Sequence, residues 1–384
     1  MKKLLAAGLV LTMGLSLTAC MGGTANTSSA ASGGSESSSG SAGADGVYNI
    51  GICQQMQHVS LDEATQGFED ALTELLGEGN VKFDYHNAGG EQANCTSIVS
   101  KFVTDNVDLI MANATTAVQC AKEATTEIPV VGTSVTDYVS TGIVDSAENP
   151  GSNVTGYSDL SDANNHVELI QQLLPEAKTV AILYSTGEEN SRIQAESATA
   201  AFEAAGLTAE SYTANDSNDI SSVVTEACTQ ADVIYVPTDN LMAANMELVK
   251  NVALNQKVPV VSCFTADEND GALLSISISY YTMGYRAGEM AYEILVNGAD
   301  PASMPIGVMS VEDMDITSTR VWPTSWASPS RSPCSSTRNK HTFSDLVTGG
   351  TIHELFHRAP GPDAGRRSQG PDLGPDGAGG VHHL

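Results

Sequence analysis

The sequence predicts an α/β chain made of two Rossmann-like lobes with parallel sheets, joined by a hinge and followed by a disordered C-terminal tail. Three observations predict it. Between residues 47 and 319, short apolar runs alternate with longer helical patterns. The alternation runs through once and then starts again. After about residue 316 the composition changes abruptly.

The first set of strands is YNIGIC (48–53), VKFDYH (81–86), VDLIMAN (107–113) and IPVVGT (128–133). The second is KTVAILYS (178–185), LTAESYT (207–213), ADVIYVPT (231–238) and VPVVSCF (258–264), offset by roughly 124 to 130 residues. Helical patterns fill the gaps, such as LDEATQGFEDALTELL (61–76) and NSRIQAESATAAFEAAG (190–206). Each meets a glycine soon after its last apolar position, the usual helix stop.

Two α/β lobes in series imply a site. Ligands of open parallel sheets bind beyond the carboxyl ends of the strands, and two facing lobes make a cleft that closes by a hinge. The segments at those ends are polar: QQMQH (54–58), NATT (113–116), TSVTD (133–137), STGEENS (185–191) and PTDN (237–240). Any one of them is explained equally well by helix capping. Five together, in both lobes, point to a polar ligand site. No G-x-G-x-x-G or G-x-x-x-x-G-K-[ST] pattern follows a strand, so nucleotide binding has no support. No nucleophile has a base and an orienting acid beside it, and His58, His86 and His166 read as structural rather than catalytic. The chain is expected to be a binder and not an enzyme, with no cofactor and no metal.

The N-terminus reads MKKLLAAGLVLTMGLSLTAC: two lysines, an apolar run too short to span a bilayer, then Leu17-Thr18-Ala19-Cys20. This is a secretory signal ending in a lipobox, with Cys20 the lipidated residue. Residues 21–46 are almost all Gly, Ser, Ala and Thr, a flexible leash. The expectation is an extracytoplasmic domain tethered to a bacterial membrane. A net charge of −29 and a pI near 4.3 argue against nucleic acid as a partner. Five further cysteines (Cys53, Cys95, Cys120, Cys228 and Cys263) are scattered without C-x-x-C spacing. They read as small core residues rather than a disulfide framework or a zinc ribbon.

The stretches DLIMANATTAVQCAKEATTEIPVVGTSVTD, NPGSNVTGYSD, LLPEAKTVAILYSTGEENS, DVIYVPTDN and DGALLSISISYYTMGYRAGEMAYEILVNGADPASMPI carry a family resemblance. Together they resemble the substrate-binding lipoproteins of ABC importers, in the subgroup associated with tryptophan, tyrosine and phenylalanine. The resemblance runs from about residue 47 to 316. It implies a type I periplasmic-binding fold. Lobe one would be 47–157 with 281–304, and lobe two 158–280 with 305–316, including a strand near Ile306 to Ser310. Three crossovers would form the hinge. A monomer would capture a small ligand, such as an aromatic amino acid, and pass it to an ABC permease and its ATPase.

The resemblance also implies contacts. In the first lobe these are His58, Thr115, Thr136 and Asp137. In the second they are Glu188, Asn190, Ser191, Thr238, Asp239 and Asn240. Asp137 and Asp239 would accept an ammonium, and Met56, Phe264 and Tyr280 would make an apolar slot for a ring. Two positions depart from the family pattern: Phe264 and Ser279 stand where many relatives carry aspartate. A type I binder for a sugar or another metabolite, or a ligand-sensing lipoprotein, stays open as an alternative.

Residues 317–384 read differently. Residues 1–319 hold two arginines, whereas the last 65 residues hold six, together with both tryptophans and five of eight histidines. A frameshift accounts for this. The forced codon of Trp322 and Trp326 and permitted choices elsewhere give, in the shifted frame from Val321, an ending that resembles that of the family. HELFH (353–357) matches the H-E-x-x-H zinc signature but lies beyond the inferred stop. Pro360 ends its helix early and no third ligand is well placed, so a zinc protease is the weakest reading.

Overall fold

The computed structural model describes residues 46–265, 272–309, 313–318 and 341–342. The chain opens with β1 (Tyr48–Gln54), α1 (Val59–Leu76), β2 (Val81–Asn87), α2 (Gln92–Asp105), β3 (Leu109–Asn113), α3 (Thr115–Ala124), β4 (Val130–Val135) and β5 (Val154–Ser158). It continues with α4 (Ala163–Leu173), β6 (Thr179–Ser185), α5 (Glu189–Ala204), β7 (Thr208–Ala214), α6 (Ile220–Gln230), β8 (Val233–Val236), α7 (Asn240–Ala244), α8 (Met246–Gln256), β9 (Val260–Ser262) and β10 (Leu274–Ile278). Then come α9 (Tyr280–Asn297), a 3₁₀ turn (Pro301–Ser303), β11 (Gly307–Val308), β12 (Met314–Ser318) and β13 (His341–Thr342).

These strands form two sheets, ordered β11-β5-β4-β3-β1-β2 and β13-β12-β10-β9-β8-β6-β7. The first is parallel throughout; the second is parallel from β10 to β7, with β12 and β13 antiparallel at its edge. The central strands β3 and β4 are buried at every position, as apolar strands covered on both faces must be. The chain crosses between the sheets three times: after β5, after β10 and between β11 and β12.

Each helix follows from its sequence pattern. On α1, Leu61, Ala64, Phe68, Ala71 and Leu72 recur at helical spacing and are buried. The helix stops at Gly77, whose φ of 88° a side-chain-bearing residue rarely adopts. On α5, Ala195, Ala198 and Phe202 face the second core. The first lobe has a core on each side of its sheet: Val99, Phe102 and Val118 on one side, and Ile52, Phe68 and Ala287 on the other.

The helix α9 ties the lobes together. It follows the last parallel strand of the second sheet yet packs along α1 in the first lobe. The two helices approach so closely that a Cβ on Gly284 would lie 1.9 Å from the Ala64 carbonyl oxygen. Arg286 of α9 makes a bidentate ion pair to Asp313, at 3.1 and 3.0 Å, bracing the crossover into β12.

Two sequence expectations change here. The strand near Ile306 does not join the second lobe: Gly307 and Val308 pair with Tyr157 and Ser158 at the edge of the first sheet. The physical reason is that α9 and the 3₁₀ turn deliver the chain beside β5, whose outer edge otherwise presents unpaired backbone groups, while Ile306 sinks into the first core. The return to the second lobe comes with β12, which pairs with β10. Within the stretch read as a tail, His341 and Thr342 pair with Ile316 and Asp315. The lipobox, the leash and HELFH lie outside the described residues. Among the described residues, no helix is long and apolar enough to cross a membrane.

The α1–α9 contact predicts a cost. Replacing Gly284 by Ala should destabilise the protein by about 3 kcal/mol in urea unfolding, because backbone must move. Gly187→Ala, with nothing within 4 Å of the added carbon, should change stability by less than about 0.5 kcal/mol. Equal stability of the two variants would contradict this account of the helix crossing.

Candidate functional site

The strand ends of both sheets meet in a pocket lined by His58, Leu61, Ser134, Thr136, Asp159, Asn190, Thr238, Asp239, Asn240, Ala243, Phe264 and Tyr280. Its free space is about 10 Å³, room for about one water. A larger open groove of about 850 Å³ runs along the mouth, past Met56, Gln92, Gln119 and Glu188.

The first lobe's share is shaped by backbone irregularity. In β4 the register with β5 shifts between Gly132 and Val135, a bulge. Within it Ser134 has a φ of 57°. Beside it, Ala114 at the end of β3 has a φ of 86°. Non-glycine residues in this region cost of order 1–3 kcal/mol and cluster at functional sites. Here the bulge turns Ser134 into the pocket, where its buried hydroxyl has no hydrogen-bond partner among the described residues.

Asp159 is the centre of the pocket. It follows β5 directly and is 5% exposed. Its Oδ2 accepts from the Tyr280 hydroxyl at 3.0 Å, while Oδ1 has no partner among the described residues. Burial pushes its carboxyl up to about 6, against the opposing effects of the Tyr280 and Thr136 hydroxyls and its own backbone N–H. His58, at the start of α1, is held below the usual imidazole range by burial, opposed by its bond to Asn240 and by Asp62.

The lobes touch directly across the pocket. His58 Nε2 lies 3.1 Å from Asn240 Oδ1, and Thr136 Oγ1 lies 3.2 Å from Thr238 Oγ1. Gln194 of α5 donates to Thr136 Oγ1 at 2.8 Å and also bonds Thr238 Oγ1. Ser60 Oγ donates to the Thr265 carbonyl at 3.3 Å. The cleft is therefore closed, bridged by its own side chains.

The second lobe's acids build the rim of the pocket. Asp239 caps α7: Oδ1 accepts from Met242 N at 2.8 Å, and Oδ2 accepts from Ser185 N at 2.7 Å. Glu188 accepts from Asn240 Nδ2 at 2.6 Å and from Leu241 N at 3.1 Å. Burial raises both carboxyls, and for Glu188 the neighbouring Asp239 adds to it. Asn190 Nδ2 donates to the Thr238 carbonyl at 3.1 Å.

Eight of the sequence candidates thus converge on one pocket: His58, Thr136, Asn190, Thr238, Asp239, Asn240, Phe264 and Tyr280. Met56 and Glu188 border the outer groove instead. Ser191 is buried behind the pocket, its hydroxyl donating to the Thr238 carbonyl at 3.4 Å. Thr115 is buried and lies outside the pocket lining. Asp137 lies outside the pocket lining, and its carboxylate serves its own turn, accepting from Val139 N at 2.9 Å and Ser140 N at 3.0 Å. Those bonds hold its carboxyl below the usual range despite the opposing, larger effect of burial. Asp239 is likewise engaged, by Ser185 and Met242. Asp159, which the sequence reading did not single out, lines the pocket. Ser279 is the N-cap of α9, its hydroxyl accepting from Thr282 N at 3.2 Å, so it serves the helix and not the pocket. Sequence reasoning missed Leu61, Ser134, Asp159, Ala243 and Gln194. The available signal for Asp159 was a Ser-Asp pair directly after an apolar strand.

Two α/β lobes closing on a small polar pocket define a solute-binding protein of the type I periplasmic-binding fold. Residues 49–320 match the family of ABC transporter substrate binding proteins, and the chain belongs to that family. It is 37% identical over 270 residues to a protein of Clostridioides difficile (strain R20291) named "Tyrosine-binding protein", covering 70% of this chain and 78% of that one. A Streptococcus pneumoniae ABC domain solved in complex with L-Trp is 35% identical with a TM-score of 0.68, over 70% of this chain and 91% of that one. The ligand-free, open structure of a C. difficile substrate binding protein with adhesive properties is 36% identical but has a TM-score of 0.54, over 70% and 91% of the two chains. The higher score against the liganded structure agrees with the closed cleft described above.

The buried carboxylate makes stability depend on pH. With its folded value at about 6 against the usual 3.8, the group favours folding only when protonated. That contribution is complete below 3.8 and lost as pH rises through about 6. Asp159→Asn should therefore stabilise the unliganded protein at pH 7.5, by up to about 3 kcal/mol, and leave it unchanged at pH 4. Denaturant titration at both pH values checks this, and a gain of equal size at both would refute it.

Proposed function

We propose that this protein captures an aromatic amino acid in the interlobe pocket and delivers it to an ABC permease and its ATPase, binding its ligand without chemical change. The observation that carries the reading is Asp159 Oδ1, a buried acceptor without a hydrogen-bond partner among the described residues, in the pocket that Tyr280 and Ser134 also line. An ammonium group there would neutralise the charge and complete its hydrogen bonding. Phe264, 2% exposed at the pocket wall, offers a face for a ring, and such pairs contribute about 0.5–1.5 kcal/mol beyond burial. The names of the C. difficile and S. pneumoniae relatives, tyrosine and L-Trp, fit this ligand class. The lipobox ending in Cys20 supports a lipid tether to the outer face of a membrane, on the leash of residues 21–46.

With about 10 Å³ free, the closed pocket has no room for such a ligand. The lobes must part, and the ligand then replaces the Gln194, Thr136 and Thr238 contacts as the bridge. Binding energy is the difference between these two sets of bonds.

A thermal-shift panel of the twenty amino acids, common sugars and nucleosides tests the reading, since a ligand specific to the folded state raises the midpoint. Tyrosine, tryptophan or phenylalanine should shift it. Affinity should fall about tenfold from pH 7 to pH 5 as Asp159 protonates near 6. Asp159→Asn should weaken binding about 100-fold by removing the charged partner. A shift with sugars alone would overturn the proposal.

A further inference from the structure

His58 is the N-cap of α1, yet its side chain makes no capping bond to that helix. It meets the second lobe instead, and the second lobe fixes what it can do. Glu188 Oε2 accepts from Asn240 Nδ2 at 2.6 Å and from the Asn240 backbone N–H at 3.2 Å. The Asn240 amide therefore turns its oxygen toward His58. An amide oxygen only accepts, so the 3.1 Å contact between His58 Nε2 and Asn240 Oδ1 puts the ring hydrogen on Nε2. Burial favours the neutral ring, against the opposing effects of Asn240 and Asp62. A neutral imidazole with its hydrogen on Nε2 presents Nδ1 as an acceptor. That Nδ1 is buried and has no hydrogen-bond partner among the described residues.

The pocket thus holds two unpartnered acceptors, set apart by the elements that carry them. Asp159 and its partner Tyr280 sit at the crossovers after β5 and β10, the hinge side. His58 and Asn240 are tied to Glu188, which borders the outer groove, the mouth side. Three of the pocket's own donors are engaged elsewhere: the Tyr280 hydroxyl on Asp159, Asn240 Nδ2 on Glu188 and Asn190 Nδ2 on the Thr238 carbonyl. We propose that His58 Nδ1 accepts a hydrogen bond from the ligand's aromatic ring, the phenol O–H of tyrosine or the indole N–H of tryptophan, and so discriminates against phenylalanine. The inference rests on the proposed capture of an aromatic amino acid whose ammonium meets Asp159. With the ammonium at the hinge side, phenylalanine brings no donor to the other.

The selection works by penalising the wrong ligand. In an open cleft, water can hydrogen-bond Nδ1. Closing on phenylalanine strips that water and leaves a buried acceptor unpaired, which costs the full desolvation of the group. Closing on tyrosine or tryptophan replaces the water with a ring donor. A site built to bond a hydroxyl or N–H rejects the analogue lacking it far more strongly than an apolar slot rejects a missing carbon. Phe264 alone, an apolar face at the same pocket, would hold all three rings with little preference.

The test is calorimetric titration of the full chain with tyrosine, tryptophan, phenylalanine and 4-fluorophenylalanine, whose fluorine has nearly the size of the hydroxyl but cannot donate. The tighter of tyrosine and tryptophan should bind at least about tenfold more tightly than both phenylalanine and its fluoro derivative. His58→Leu removes Nδ1 and the Asn240 bridge together. Loss of the bridge falls on every ligand alike, so the ratio of affinities isolates Nδ1, and that ratio should fall close to one. The ligand series on the unaltered chain decides the matter even where the variant does not fold. Equal binding of phenylalanine or 4-fluorophenylalanine would overturn this inference and leave the aromatic amino acid reading standing. A preference that survives in His58→Leu would overturn it too. Silence with all of these compounds would overturn the proposed function and this inference with it.

Discussion

The pocket depends on one carboxylate. Asp159 sits where the chain leaves the first sheet for the second lobe, and Tyr280 sits where it returns. The 3.0 Å bond between them joins two of the three crossovers. A buried charge is expensive unless it is paired, and this one is half satisfied. On the proposed function, the ligand supplies the missing partner. The neighbouring irregularities carry the same message: Ser134 is held in a left-handed conformation by a bulge, and its hydroxyl is also left without a partner.

The second lobe behaves differently. Its two acids, Glu188 and Asp239, are consumed in positioning the five-residue helix α7, whose first residue Asn240 reaches across to His58. These groups make a preorganised wall, and the first lobe supplies the charge. Closure is then a contest between bonds the lobes make to each other and bonds both make to a ligand. The bridges through Gln194, Thr136 and Thr238 are neutral hydrogen bonds, each worth only about 0.5–1.5 kcal/mol. A charged ligand meeting Asp159 can replace them.

Much of this was legible in the sequence because it rests on periodicity. The repeated order of apolar strands and helices fixes two parallel sheets, and parallel sheets fix where ligands go. Eight pocket residues followed from that placement and the family resemblance. What failed was discrimination between chemically identical residues. Asp137 and Asp159 both follow a strand of the first lobe; only the fold shows that one is wrapped in its own turn and the other points into the cleft. The placement of β11 failed for a similar reason: a two-residue strand has no pattern of its own and pairs with whichever edge its neighbours deliver it to.

The central claim is that the free oxygen of Asp159 receives an ammonium group. The most direct test is calorimetric titration of the full chain with tyrosine and with 3-(4-hydroxyphenyl)propanoate, which keeps the ring and carboxylate and lacks the ammonium. The account predicts binding of tyrosine and at least about 100-fold weaker binding of the analogue, the loss expected for one partner of a buried charge pair. Equal affinity for the two compounds would contradict it.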